Sequence, residues 1–360
     1  MWPYWLLFLV PAFQAVAKLR QAPIPLAEKR WSFLWRTVFV LLALMIGLRH
    51  QVGGDWESYL AVLEASKKLS LTEAFGSMNS DPADIFFNWV AAQSGLGLYL
   101  VNSVYGTMFA WGLLVFCREQ PRPWLALTVA VPYLITVVAM GYSRQGVAVG
   151  MVMLGLIALR EKSVFKFLFW VALAATFHKS AVILVPLAVL AGSGRRLWML
   201  LWVVVTAVLL FVLLLQESVD RFVAGYIDSQ YDSAGAAVRI AMNAVPAALF
   251  LLLRKRFQMP PEQLSFWTWM SLGAIAFVLL LYVSPSSTAV DRVALYWIPL
   301  QLFVWSRIPD AMGRPGAANA VWVYAVVAYS AIVYFVWLLF ATHSLYWLPY
   351  RFYPLVWLWQ

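Results

Sequence analysis

The sequence is poor in charged residues and almost without cysteine. Lys, Arg, Asp and Glu make up 12% of the 360 residues, hydrophobic residues make up 63%, and Cys117 is the single cysteine. Soluble domains carry about 25% charged residues, so this composition excludes a soluble globular protein. A single cysteine also excludes an internal disulfide framework.

Several motifs of soluble enzymes are missing as well. The sequence has three histidines and no His or Cys cluster with zinc-binding spacing. It has no glycine-rich phosphate loop before a lysine and no Gly-x-Ser-x-Gly elbow. The net charge of +10 is the usual orientation signal of cytoplasmic loops in so apolar a chain. We therefore expect no metal, no cofactor and no nucleic-acid partner.

Apolar runs follow one another from end to end, and about 20 apolar residues suffice to cross a bilayer as a helix. The runs are continuous rather than alternating, which favours helices over a barrel. The sequence thus predicts an all-α polytopic membrane protein, with residues 1–360 forming a single integral-membrane domain. The candidate spans, about twelve, are 2–17, 33–48, 85–117 (too long for one straight span, so bent or preceded by an interfacial helix), 123–140, 145–160, 164–178, 180–192, 197–215, 237–253, 265–283, 293–306 and 318–341.

Charge predicts the orientation of these spans. One set of connecting loops holds most of the 26 basic residues, and the opposite set holds most of the 16 acidic residues. By the positive-inside rule the first set is cytoplasmic. The outside segments are then about 49–84, 216–236 and a tail at 342–360, which in a bacterium face the periplasm. We expect them to be loops and interfacial helices that rest on the bundle.

Polar side chains collect at the outer ends of the predicted spans. A single arginine there can be a snorkelling anchor, but anchors are expected mainly on the cytoplasmic side. Ionisable groups near a membrane are costly unless they pair or line a wet cavity, so the cluster predicts a site on the outer face. The residues are Arg49, His50, Asp55, Tyr59, Arg144, Gln145, His178, Lys179, Asp291, Arg292, Tyr296, Tyr350 and Arg351.

Three arginines in separate loops suggest the ligand. Guanidinium groups match phosphate oxygens and stay charged, so convergence of Arg49, Arg144 and Arg292 predicts a lipid-linked diphosphate. The groups able to remove a proton are Asp55, His178 and Asp291. For His178 the alternative is a structural helix-end histidine, and for Asp291 it is a simple ion pair with Arg292 or Arg239. Weaker substrate-binding candidates are Tyr59, Gln145, Lys179, Tyr296, Tyr350 and Arg351.

Five short motifs resemble the EpsG family of polysaccharide polymerases, which are relatives of the Wzy O-antigen polymerases. Each is short, but they occur in order at span ends and cover most of the chain, from residue 48 to residue 353. The tail motif is the loosest match. The motifs are "LRHQVGGDWESYL", "YSRQGVAVGM", "FHKSAVILVPL", "DRVALYW" and "YWLPYRFY".

The resemblance implies a membrane glycosyltransferase with a helical bundle similar to the GT-C superfamily. Such an enzyme joins undecaprenyl-pyrophosphate-linked repeat units outside the bacterial cytoplasmic membrane, by transferring the growing chain to the non-reducing end of a new unit. It implies no nucleotide sugar and no metal. The implied partners are the lipid-linked glycan donor and acceptor, membrane lipids, and a chain-length regulator and flippase of the same O-antigen, exopolysaccharide or capsule pathway.

Two other functions also fit a basic membrane protein. A flippase for lipid-linked oligosaccharides needs cations for the diphosphate, but it should carry polar residues near mid-span. Here the predicted span centres are nearly uncharged, and the polar groups crowd one face. A membrane O-acyltransferase would use a histidine, and it would need an accessible acyl donor, for which the sequence shows no feature.

Overall fold

The protein is described here from a computed structural model, which covers residues 1–19, 31–187, 196–210 and 235–357. Within these ranges the chain is helical and contains no strand. A π-helix (Val131–Ala139) continues α7, and short 3₁₀ turns follow several helices. The helices are α1 (Trp2–Ala17), α2 (Phe33–Gly47), α3 (Trp56–Ser66), α4 (Leu71–Ser77), α5 (Pro82–Ser94), α6 (Gly97–Arg118), α7 (Pro123–Ala130), α8 (Ser143–Arg160), α9 (Val164–Phe177), α10 (Arg196–Leu210), α11 (Ala236–Leu253), α12 (Pro261–Val283), α13 (Ser287–Ala294), α14 (Ile298–Trp305), α15 (Ile308–Met312), α16 (Ala320–Phe340) and α17 (Tyr353–Trp357).

The chain is an all-helical polytopic membrane protein, although the predicted twelve spans are not confirmed. Four helices in the described part are long and apolar enough to cross a membrane: α6, α11 with the turn that follows it, α12 and α16. Shorter apolar helices are α1, α2, α9 and the continuous segment Pro123–Ala139. These segments form helices because lipid offers the backbone no hydrogen-bond partner. Their apolar side chains then pack against one another in a bundle.

Three of the predicted segments contain more than one helix. Residues 85–117, expected to be bent or preceded by an interfacial helix, form two helices, α5 and α6, because Gly95 and Gly97 have positive φ angles of 70° and 62° and turn the chain between them. The predicted outside segment 49–84, expected to hold loops and interfacial helices, contains α3 and α4. The predicted span 293–306 is divided by a 3₁₀ turn at Leu295–Trp297. Most of the predicted loop 216–236 lies outside the described residues, as do the end of the span 180–192 and residues 358–360.

The core of the bundle is formed by α7 with its π-helix, α8 and α14, whose residues are nearly all buried, together with the buried face of α6. Glycine allows α6 and α8 to approach closely. A Cβ on Gly112 would lie 2.1 Å from the Gly150 carbonyl oxygen, and one on Gly150 would lie 3.0 Å from the Phe109 Cα. Small residues at such crossings are typical of membrane helices.

One end of this bundle carries the predicted site. α2 and α9 end there, and α8 begins there. Along α8, Arg144 and Arg160 are about 24 Å apart, since each helical residue rises about 1.5 Å. Arg160 and Arg307 therefore belong to the opposite end, where Arg160 pairs with Glu119.

Candidate functional site

Arg49 lies inside the protein, one residue after the C-cap of α2, with 1% of its surface exposed. Its Nε donates to the Val52 carbonyl at 3.2 Å, and its Nη1 donates to the Ile46 carbonyl at 2.5 Å. Its Nη2 donates to the Asn102 Oδ1 at 3.0 Å and to the Ser143 Oγ at 2.6 Å. Arg49 therefore holds the loop after α2 against α6 and the start of α8. Its predicted role as a diphosphate ligand stays untested, and these bonds give it a positioning role.

The C-terminal segment closes over this loop. The His50 N–H donates to the Arg351 carbonyl at 2.9 Å, and the Tyr353 N–H donates to the Leu48 carbonyl at 2.8 Å. The Trp347 indole is buried and donates to the Thr136 carbonyl at 2.7 Å. Aromatic residues of the tail thus serve as packing elements, which the sequence could not separate from interfacial or sugar-stacking roles.

Gly53 is the tightest point of the loop. Its φ is +108°, and a Cβ there would lie 2.4 Å from the Met140 carbonyl oxygen. Gly54 has room, since its Cβ would meet only Trp347 at 3.9 Å. The first of the two glycines therefore provides the close backbone approach that brings the next residues to Met140 and Gly141, just before α8.

Asp55 follows Gly54 directly and is the N-cap residue of α3. Burial raises the pKa of its carboxyl, while the charges of Arg292 and Arg144 and a hydrogen bond from Tyr59 oppose that rise. Asp55 is half-buried, whereas Tyr59 is buried. The structure therefore places a reachable carboxylate in the field of two arginines.

Arg144 extends from the first turn of α8 toward the start of α5. Its Nη1 donates to the Ser80 Oγ at 2.7 Å and to the Asp81 Oδ2 at 3.4 Å, and it lies 3.9 Å from the Asp84 Oδ2. About a third of the Arg144 side chain stays exposed. Arg144 is therefore fixed from one side by acidic residues and is open on another.

Ser80, Asp81 and Asp84 are site residues that the sequence analysis missed. Asp84 is buried and accepts hydrogen bonds from Ser80 at 2.5 Å and from Tyr105 at 2.9 Å. Burial raises the pKa of Asp81 to about 6, although Arg144 and the Lys179 N–H favour its ionised form. The signal was present in "SDPAD", because an aspartate before a proline is a common start of a helix, here α5.

Arg292, on α13, lies against Tyr142, the N-cap residue of α8. Its guanidinium carbon lies 4.0 Å from the centre of the Tyr142 ring. The buried Gln145 donates to the Arg292 carbonyl at 2.5 Å and so fixes the backbone. Among the described residues no carboxylate lies within ion-pair distance of Arg292. Arg292 thus presents a positive charge that stacking on an aromatic ring orients.

His178 and Tyr296 form a hydrogen-bonded group with Ser180. The His178 Nδ1 is 2.6 Å from the Ser180 Oγ and 3.3 Å from the Tyr296 hydroxyl. Burial, together with the charges of Arg144 and Arg292, lowers the pKa of His178 to about 3. The imidazole is therefore neutral at neutral pH and a weak base. The backbone N–H of Lys179 donates to the Asp81 Oδ1 at 3.2 Å, which connects this group to Arg144.

Three predicted residues have other surroundings. The Asp291 carboxylate accepts hydrogen bonds from the Arg239 Nε and Nη2, each at 2.8 Å, so the ion-pair alternative holds for it. The Tyr350 hydroxyl donates to the Met45 carbonyl at 2.8 Å, and the Arg351 Nη1 donates to the Gln51 Oε1 at 2.5 Å. Tyr350 and Arg351 therefore lie on the tail side of the loop, away from Arg144.

The described residues contain no group of three His, Cys, Asp or Glu side chains that could hold a metal ion. The site instead combines the guanidinium groups of Arg144 and Arg292, the carboxylates of Asp55 and Asp81, and a neutral histidine. Such a set suits an anionic ligand and a proton transfer.

Fold and site together define a polytopic helical membrane protein with a cationic polar site at one end of its bundle. The chain belongs to the EpsG family, whose model matches residues 32–352. Members of this family are generally glycosyltransferase-like polymerases, which places the chain in membrane polysaccharide biosynthesis. No curated protein and no solved structure matches the chain.

Proposed function

We propose that the protein polymerises lipid-linked oligosaccharides, and that its site binds the diphosphate of the growing chain. The observation that carries this proposal is the placing of Arg144 and Arg292 near Asp55, with Arg292 lacking an ion-pair partner among the described residues. Two guanidinium groups complement a diphosphate, and a reachable carboxylate supplies a base.

The transfer step uses these groups as follows. A hydroxyl oxygen at the non-reducing end of the acceptor attacks C1 of the sugar that joins the growing chain to its lipid. The new C1–O bond forms while the C1–O bond to phosphate breaks, and the bonding electrons leave with undecaprenyl diphosphate. The hydroxyl proton passes to Asp55, and Arg144 and Arg292 stabilise the charge that develops on the departing phosphate.

Asp55 is preferred to His178 as the base. Its pKa is raised by burial, which brings it closer to the pH at which an efficient base operates. The pKa of His178 is lowered to about 3, so the imidazole accepts a proton poorly. Asp81 and Asp84 act by positioning Arg144, and Arg49 acts by positioning the loop that carries Asp55.

We place this activity on the outer face of the bacterial cytoplasmic membrane. Support comes from the separation of the site from Arg160 and Arg307, which lie at the opposite end of the bundle, where Arg122 and Lys162 also form ion pairs.

The test is purified full-length protein supplied with a synthetic repeat unit on undecaprenyl diphosphate. We expect a ladder of products without any nucleotide sugar, and the same ladder in EDTA. A protein that moves the lipid across vesicles without lengthening the glycan would instead be the flippase, and the proposal would fail.

A further inference from the structure

A long apolar groove lies between α1 and α2. Residues 48–55, here called the Arg49 loop, separate it from Arg144. The volume of the groove is about 1140 Å³, at or above the upper end of the usual range for small-molecule sites, roughly 300–1,000 Å³. Leu7 and Val10 of α1 line one wall, Leu41 and Met45 of α2 line the other, and residues of the segment 127–135 form the base. Its lining from Trp2 to Pro11 is about 14 Å long, since each helical residue rises about 1.5 Å. Its shape suits an extended hydrocarbon chain.

The outer mouth of the groove is polar and basic. His50, Gln51 and Arg351 line it, and the Arg351 guanidinium donates to the Gln51 side chain while remaining exposed. No aspartate or glutamate occurs among the described residues that line the groove. The charge of the mouth therefore complements an anionic headgroup attached to an apolar chain, and the groove opens where the headgroups of the outer leaflet would lie.

The loop connects this mouth to the polar site. Gln51 lines the groove, and Asp55 lies in the field of Arg144 and Arg292. The four peptide units between them span at most about 14 Å. Asp55, Arg144 and Arg292 do not line the groove, so the groove and the polar site are separate positions along one loop.

The proposed transfer requires two separate binding positions, one for the lipid diphosphate of the donor and one for that of the acceptor. The diphosphate of the donor must lie at the reacting carbon, because its bond breaks there. The acceptor reacts at its non-reducing end, so its own diphosphate and lipid lie one repeat unit away from the reacting atoms. A lipid groove with a basic mouth, set apart from Arg144 and Arg292, matches the second requirement.

We propose that the groove between α1 and α2 binds the polyprenyl chain of the acceptor, with Arg351 at its diphosphate. This inference rests on the proposed polymerase function. The donor diphosphate then binds to Arg144 and Arg292, and the Arg49 loop lies between the donor diphosphate and the acceptor diphosphate.

The test uses two substrates that can each play one role only. The donor is a repeat unit on undecaprenyl diphosphate whose acceptor hydroxyl is methylated. The acceptor carries a non-cleavable carbon link in place of the oxygen between C1 and phosphate. The groove is filled by Leu41→Trp, and Val40→Trp is the matched control, because Val40 is its neighbour with similar exposure, 51% against 45%, but does not line the groove.

We expect Leu41→Trp to raise KM for the acceptor at least about tenfold, with KM for the donor and kcat unchanged, since a loss of about 1.4 kcal/mol in binding is tenfold. Arg351→Ala should raise KM for the same acceptor. An increase in KM for the donor instead, no change in either KM, or an equal effect of Val40→Trp would overturn the proposal. If a phospholipid co-purified with the wild-type protein but not with Leu41→Trp, and KM for the acceptor were unchanged, the groove would bind membrane lipid instead of the acceptor. That result would also overturn the proposal.

A second measurement separates this inference from the proposed function. Native mass spectrometry of the wild-type protein with undecaprenyl diphosphate should show two bound lipids, and Leu41→Trp should bind one. If wild type binds two and Leu41→Trp one, but no product ever forms, the polymerase function fails while the lipid groove remains. If products form and both proteins bind equally, the groove assignment alone fails.

Discussion

The Arg49 Nη2 donates a hydrogen bond of 2.6 Å to the Ser143 Oγ, across 94 residues of sequence. This bond joins the loop that carries Asp55 to the helix that carries Arg144. Because Arg49 also bonds to Asn102 and to two backbone carbonyls, one buried side chain fixes the relative positions of α2, α6 and α8. Arg49 and Arg144 look equivalent in the sequence, but they have different roles. Arg49 fixes the positions of the helices, and Arg144 lies at the candidate site.

Replacing Arg49 should destabilise the protein more than replacing Arg144. Arg49→Met leaves buried acceptors without donors, each costing about 1–3 kcal/mol, so we expect the free energy of unfolding to fall by at least about 3 kcal/mol. Arg144→Ala removes the cation beside Asp81 and Asp84, but a third of the Arg144 side chain is exposed and water can reach the site, so we expect a smaller loss. Thermal unfolding in detergent compares the two variants. Equal melting temperatures for Arg49→Met and wild type would contradict a positioning role.

Adjacent glycines provide a second test of the loop. Gly53→Ala places a Cβ 2.4 Å from the Met140 carbonyl oxygen at a φ of +108°, so we expect a loss of stability greater than the ~1–2 kcal/mol that a left-handed backbone alone costs an alanine. Gly54→Ala meets nothing closer than 3.9 Å and should be tolerated. Expression level and thermal unfolding of the two variants provide the comparison. A stable, active Gly53→Ala protein would show that the loop does not pack closely on Met140 and Gly141.

The pH dependence of the transfer should follow Asp55. The hydrogen bond from Tyr59 favours the ionised carboxylate and lowers the pKa of Asp55, so Tyr59→Phe should raise that pKa. A base must be deprotonated to act, and its activity is lost as the pH falls through its pKa. The acid limb of the rate profile should therefore move to higher pH in Tyr59→Phe, with activity recovering in alkaline buffer. An unmoved limb, or one shifted to lower pH, would remove Asp55 from the role of base.

Arg292 offers a test of shape in addition to charge. Arg292→Lys keeps the positive charge but loses the planar group that stacks 4.0 Å from the Tyr142 ring and could bind a phosphate with two parallel bonds. We expect Arg292→Ala to lower the transfer rate about 10²- to 10³-fold and Arg292→Lys to recover only part of that loss. The exposed Arg256→Ala, at the other end of the bundle, is the control. Full activity of Arg292→Ala would exclude it from the diphosphate site.

Much of the site could be predicted from the sequence, because the motifs lie at helix ends. The apolar runs predict helices, and the polar residues between them must gather at one end of a bundle. The charges of Arg144 and Arg292 act on both Asp55 and His178, while the roles predicted for these residues stay predictions. The family resemblance is confirmed by the match over residues 32–352.

Side-chain partners could not be predicted in the same way. The sequence does not show that Arg49 is enclosed by Asn102 and Ser143, since such burial depends on how α6 crosses α2 and α8. Asp81 and Asp84 were missed although "SDPAD" marks a helix start, because they lie at the border between the predicted outside segment 49–84 and the predicted span 85–117. The predicted number of spans is not confirmed, because glycine turns and 3₁₀ segments divide apolar runs of the described residues into shorter helices.

The most direct measurement of the central claim is the rate of the first transfer by Arg144→Ala, from the methylated donor to the non-cleavable acceptor, beside wild type and Arg256→Ala. If Arg144 stabilises the departing diphosphate, the rate should fall about 10²- to 10³-fold while the variant stays folded in the membrane and Arg256→Ala keeps the wild-type rate. A folded Arg144→Ala protein that transfers at the wild-type rate would contradict the account.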